Sequence, residues 1–135
     1  MQREIKFRGI SSDSGKWIYG SYHKPFEDVE QIIESIKSNA SQMSSVVFGT
    51  CGQFTGLKDK KGKEIYEGDI VSSGIGEIIW CNLECMFKVR WNCKIFKSIR
   101  GQNDKYTLNG EPLFVNANIV WEVVGNIYEN PELIK

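Results

Sequence analysis

Four cysteines (Cys51, Cys81, Cys85 and Cys93) and a single histidine, His23, are the side chains of this sequence most suited to metal binding or nucleophilic chemistry. Zinc sites of the ribbon type use cysteines in paired knuckles. Three residues lie between Cys81 and Cys85 and seven between Cys85 and Cys93, which is not that pattern, and His23 is distant from all of them. No metal and no cofactor is expected on this basis. A nucleophilic cysteine needs a base beside it, and nothing in the spacing ties His23 to a thiol. The expected role of the cysteines is that of small hydrophobes in or next to strands.

A second candidate is the acidic trio Glu64, Glu67 and Asp69. Paired carboxylates can share acid and base roles only across a cleft of defined width, which neighbours in sequence do not provide. Gly68 also breaks the extended backbone that would put Glu67 and Asp69 on one face. Turn capping by Asp69 is the better reading, because a short carboxylate accepts hydrogen bonds from nearby N–H groups. The sequence contains no P-loop. Gly74-Ile75-Gly76 is too short for a dinucleotide fingerprint and sits between strands. No catalytic residue is expected, and the chain is read as a non-enzyme.

The third candidate is electrostatic. Lys88, Arg90, Lys94, Lys97, Arg100 and Lys105 face only Glu84 and Asp104 over residues 81–105, whereas residues 111–135 are acidic. Basic residues interleaved with Phe87, Trp91 and Phe96 have the composition of a surface that tracks phosphates and stacks bases. Strand parity argues against it, since Phe87 and Trp91 point opposite to Lys88 and Arg90. Lys88, Arg90, Lys94, Lys97 and Arg100 are therefore candidates for nucleic-acid contact, weighed below a solvated face balanced by acidic partners.

The composition sets the frame for these candidates. Seventeen basic and seventeen acidic side chains cancel to a formal net charge of zero, so no global field attracts nucleic acid or an anionic membrane. With 41% hydrophobic and 25% charged residues over 135 positions, the chain can bury one core, or two small ones. No run approaches the roughly 20 apolar residues that span a bilayer. The first residues alternate charged and apolar types without an apolar signal core, so a cytoplasmic location with reduced thiols is expected.

The elements that must position these residues are mostly strands. Residues 3–8 alternate, a turn cluster follows at 11–15, and Lys16–Tyr22 resumes with strand-forming types, which together predict an N-terminal β-hairpin. Phe26, Val29, Ile32, Ile33 and Ile36 then follow the three-and-four spacing of a helical face. Acidic residues at its start, Lys37 near its end and Pro25 before it predict one amphipathic helix over Phe26–Lys37. Ser41–Ser45 reads as a polar connector. Residues 76–81 and 85–91 are strands, Asn109-Gly110 is a strong turn signal, and Ile119–Tyr128 closes the domain.

Between them lies the most distinctive block, Gly52–Val71. Gly52 and Gly56 permit turning or close approach, Gly62 tips a polar hairpin turn, and Gly68-Asp69 makes a tight turn before the buried strand at Ile70-Val71. This block, the opening Arg3–Arg8, Trp17–Gly20 and the closing Trp121–Leu133 together resemble the YopX-like family of phage and prophage proteins. The resemblance implies an SH3-type small β-barrel in the C-terminal part and an accessory role, and it carries no catalytic residues.

The resulting expectation is a mainly β protein, α+β by content. An N-terminal hairpin and helix occupy residues 1–51 and an SH3-like barrel residues 52–135. It acts as a binding module on a host or phage protein, or in a homo-oligomer. Nucleic-acid binding through the 88–100 segment is the alternative, and no membrane role is expected.

Overall fold

The computed structural model describes residues 4–36, 40–72, 76–91, 111–112 and 121–134. The chain divides into two compact units, Met1–Gly56 and Leu57–Lys135, and both are built from antiparallel strands. The division falls inside a strand, after Gly56, where the sequence places it at 51/52.

In the first unit, β1 (Phe7–Ile10) and β2 (Trp17–Phe26) form the predicted hairpin, with Phe7 opposite Gly20 and Ile10 opposite Trp17. β3 (Val29–Ile36) and β4 (Ala40–Ser45) continue the meander, and β5 (Gly52–Lys58) pairs with the other side of β1. The order is thus β4-β3-β2-β1-β5. The sheet curls back on itself beyond β4. Val46 bridges to Ser11, Ser12 N–H donates to the Ser45 carbonyl at 3.0 Å, and Val47 N–H donates to the Ile10 carbonyl at 2.8 Å. Gly9 makes this crossing possible: a Cβ there would stand 2.9 Å from Val46 Cγ1 and 3.2 Å from Cys51 Sγ. Ile32, Val46 and Phe54 are buried apolar side chains of this unit.

The helix expected over Phe26–Lys37 does not form. Phe26 ends β2, Glu27-Asp28 is the two-residue turn, and Val29–Ile36 is β3, with Phe26 opposite Val29. The acidic pair that looked like a helical first turn is the tip of a hairpin. The competing signal was side-chain type: Val29, Ile32, Ile33 and Ile36 are β-branched, stiff at χ1 and suited to a pleated surface. Pro25 is accommodated where the β2–β3 register shifts between His23 and Phe26, a position that does not need its missing N–H. The Ser41–Ser45 connector is likewise a strand, β4, aligned with β3 through six consecutive residue pairs.

The second unit carries β6 (Glu64–Tyr66), β7 (Asp69–Val71), β8 (Gly76–Cys81), β9 (Met86–Trp91), β10 (Glu111–Pro112) and β11 (Val123–Asn126), then a 3-10 turn at Pro131–Ile134. Its five-stranded sheet has the order β10-β9-β8-β7-β11. Among the described residues no strand pair joins its two ends. Ile65, Val71, Ile78, Phe87, Val89, Trp121 and Val123 form the core, with Leu57 packed against it. The β8–β9 hairpin matches expectation, running from Gly76 opposite Trp91 to Cys81 opposite Met86. The Asn109-Gly110 turn signal and Ile95, Phe96 and Ile99 lie outside the described residues.

Candidate functional site

The turn block predicted from its glycines is organised by two buried aspartates. Asp69, 1% exposed, accepts the Tyr66 N–H at 2.8 Å and so closes the turn that contains Gly68. Gly68 has φ +89°, donates its N–H to the Ile78 carbonyl and accepts the Ile127 N–H. A Cβ on it would lie 3.2 Å from the Tyr128 ring. Gly62, with φ +82°, tips the hairpin turn, while Gly52 and Gly56 lie in β5, buried and exposed respectively.

Asp59 is the second organiser, and its reach is not visible in the sequence. It is 3% exposed; Oδ1 accepts the Lys61 and Lys63 N–H groups and Oδ2 the Val123 N–H, all at 2.9 Å. Burial by itself would push its carboxyl up. The donors at Val123, Lys63 and Lys61, helped by the Lys63 charge, outweigh burial and hold it below the usual carboxylate range. Beside it Lys60 N–H donates to the Trp121 carbonyl, and the Lys60 and Lys61 ammoniums pair with Glu122. An aspartate two residues before a lysine N–H in a glycine-tipped turn signals the local half of this arrangement. Of the acidic trio, Glu64 accepts the Tyr66 hydroxyl at 3.1 Å and Asp69 is committed to its turn, so this block serves structure.

The basic segment is brought together only in part. Lys88 is 3% exposed, and its ammonium pairs with Glu84 at 2.5 Å. Arg90 is exposed and pairs with Glu77 on the adjacent strand at 2.5 Å. Lys94, Lys97 and Arg100 lie outside the described residues. The expected alternation of a core face and a solvated face in β9 is therefore corrected: Phe87, Lys88 and Val89 are all buried, and β10 pairs across Lys88 and Val89. Met86, on the same face as Lys88 and Arg90, is half-buried.

The thiols divide by environment. Cys85 is exposed in the β8–β9 turn, and Cys81 is half-buried. Cys51 lies near Glu30, where burial, followed by the Glu30 charge, pushes its thiol up to about 12. The same Glu30 accepts the Tyr22 hydroxyl at 2.8 Å and the Gly49 N–H at 2.7 Å. Burial, that hydrogen bond and the Glu30 charge together push Tyr22 up to about 12. His23 contacts Gln31 on β3 at 3.1 Å. Among the described residues no group of three or more His, Cys, Asp or Glu is placed to hold a metal ion. No described helix is long and apolar enough to cross a membrane.

What the sequence did not reveal is that three apolar side chains of the first unit stand exposed at turns. Phe26 at the β2–β3 tip is 70% exposed, and Val47 and Phe48 in the following turn are 46% and 58% exposed. Glu30 ties that turn to the hairpin through Gly49, and the Lys24 ammonium lies 5.9 Å from the Phe48 ring centroid. The one usable signal was apolar residues flanking turn residues at both places, which became visible only once the hairpin replaced the helix.

Two antiparallel units with turns organised by buried aspartates define a small, mainly β protein. The chain belongs to the YopX family, whose description reads YopX protein and which matches residues 6–135. Comparison with curated proteins returns no match. Among solved structures, the chain is similar to the protein EF1440 from Enterococcus faecalis, at 20% identity and a TM-score of 0.50. The likeness covers 99% of this chain and 100% of that one and concerns the fold.

Proposed function

We propose that this protein is a phage- or prophage-derived accessory protein of the bacterial cytoplasm that works without catalysis, by docking on a host or phage protein. The phage origin rests on the family resemblance. The second unit is read as an SH3-type barrel, a reading supported by its run of short antiparallel strands with β11 returning to β7.

The observation that carries the docking reading is the exposure of Phe26, Val47 and Phe48 at turns of the first unit. A single exposed apolar side chain is ordinary, but two phenylalanines held out at turns that Glu30 ties together are suited to anchor a protein contact. Lys24 beside Phe48 adds a polar rim. The nucleic-acid alternative is weaker, because Lys88 and Arg90 are both engaged with carboxylates.

The test is a tagged pull-down from host cytosol, with and without nuclease and at two salt concentrations, comparing the native chain with Phe26→Glu/Phe48→Glu. Both positions are exposed, so the double variant should fold. One protein retained through nuclease and lost in the variant is the expected result. Nucleic acid that elutes with moderate salt and is indifferent to the variant would replace this reading with the alternative.

A further inference from the structure

We propose that Glu30 is the positioning residue of the docking site, a role that rests on the docking reading above. Its carboxylate couples the turn that presents Val47 and Phe48 to the β2–β3 hairpin that presents Phe26. Residues 47–50 form a closed turn: the Thr50 N–H donates to the Val47 carbonyl at 3.1 Å, and Gly49, third of the four, has φ +84°. A positive φ at that position is the type II form. Both ends of the turn are fastened to β1. The Val47 N–H donates to the Ile10 carbonyl at 2.8 Å, and the Ile10 N–H donates to the Thr50 hydroxyl at 3.1 Å. That hydroxyl in turn donates to the Val47 carbonyl at 2.6 Å. These bonds fix the base of the turn and leave its apex, Phe48-Gly49, to other partners.

The apex is tied to the hairpin through Glu30. The turn's own bond does not use the Gly49 N–H, which donates to Glu30 Oε1 at 2.7 Å. Among the described residues no other hydrogen bond reaches Phe48 or Gly49. Glu30 Oε2 accepts the Tyr22 hydroxyl from β2 at 2.8 Å, so the carboxylate is held at both oxygens. The Tyr22 ring packs against Phe7 of β1, with centroids 5.4 Å apart. Lys24 lies 5.9 Å from the Phe48 centroid, at the outer limit of a cation–ring contact, and gives the apex little direction. Without the Glu30 carboxylate the turn keeps its base on β1 while its apex loses its hold on the hairpin. A partner must then order Phe48 as it binds, and that ordering lowers affinity.

Glu30→Ala and Glu30→Gln test this on the full chain through two readouts. One is amide exchange at Gly49 by NMR, and the other is affinity for the protein retained in the pull-down above. Glutamine keeps an oxygen for the Gly49 N–H, so Glu30→Gln should stay near native in both. In Glu30→Ala, Gly49 should exchange about tenfold faster while the Val47 N–H keeps its protection on Ile10. Affinity should fall about three- to tenfold. If Glu30→Ala does not fold, Tyr22→Phe reads the same coupling, with a smaller rise at Gly49. Gly49 exchange that stays native, or that rises together with Val47, overturns the positioning role, and so does faster Gly49 exchange with undiminished affinity. Failure of the docking reading is separate. The native chain then retains no protein, or Phe26→Glu/Phe48→Glu retains it equally, and Glu30 shapes the turn without positioning a site.

Discussion

The Asp59 carboxylate accepts the N–H of Val123, 64 residues further along the chain, at 2.9 Å, while its other oxygen holds its own turn together. One short side chain thus fixes the hairpin turn before β6 and the entry to β11 at the same time. Asp59→Asn keeps the size but turns one end of the group into a donor facing backbone donors. A loss of about 2–3 kcal/mol is expected, as for a buried partner left unsatisfied, read by urea denaturation. The pH dependence has a definite sign. The carboxyl lies below its ordinary value in the folded state, so its contribution is complete above the unfolded value of about 3.9 and is lost as pH falls through the lower folded value. The native chain should lose stability over that acid range more steeply than Asp59→Asn does, and parallel acid profiles would refute the assignment.

Thiol reactivity should follow environment. At pH 8 a thiol held near 12 is ionised to roughly one part in ten thousand, so Cys51 should resist alkylation while exposed Cys85 reacts first. Mass spectrometry after a timed iodoacetamide pulse reads each site separately. Glu30→Gln removes the negative charge from beside both Cys51 and Tyr22, so Cys51 should react faster and the tyrosine should titrate at lower pH. Equal labelling of Cys51 in both proteins would show that burial alone controls it.

Gly68 combines a positive φ with the Tyr128 ring 3.2 Å from where a Cβ would sit. Alanine there must hold a left-handed backbone and displace the ring edge. About 1–3 kcal/mol of destabilisation is expected for Gly68→Ala, seen as a lower thermal midpoint. A neutral result would mean that the turn relaxes to another conformation, and the Ile127 N–H bond to the Gly68 carbonyl should then show faster hydrogen exchange.

These contacts mark how far the sequence could be read. The β1–β2 and β8–β9 hairpins and the Gly68-Asp69 turn are set by neighbours in the chain, and turn residues between alternating runs announce them. The stretch Phe26–Ile36 was misleading because a three-and-four apolar spacing also occurs in a two-sided strand, where Ile32 and Ile33 serve opposite faces. β4 has no apolar pattern and exists because β3 pairs with it. The Val123 contact of Asp59 and the pairing of β10 beside Lys88 and Val89 depend on partners far along the chain, which local spacing does not encode.

Lys88 separates a structural role from a phosphate-binding one. Its ammonium is nearly sealed from solvent on Glu84, whose own side chain remains 41% exposed. Replacing a buried ion pair with an apolar group of similar length is often neutral, whereas removing one partner strands a charge. Lys88→Met/Glu84→Gln should therefore melt close to the native protein. Glu84→Ala alone should lose about 1–2 kcal/mol, less than for a fully buried pair because water reaches Glu84. If Lys88 instead served nucleic acid, Lys88→Met would lower affinity and flatten the salt dependence by about one contact. A binding titration at two salt concentrations beside the melting curves distinguishes these outcomes, and unchanged binding with the stability pattern above assigns Lys88 to the fold.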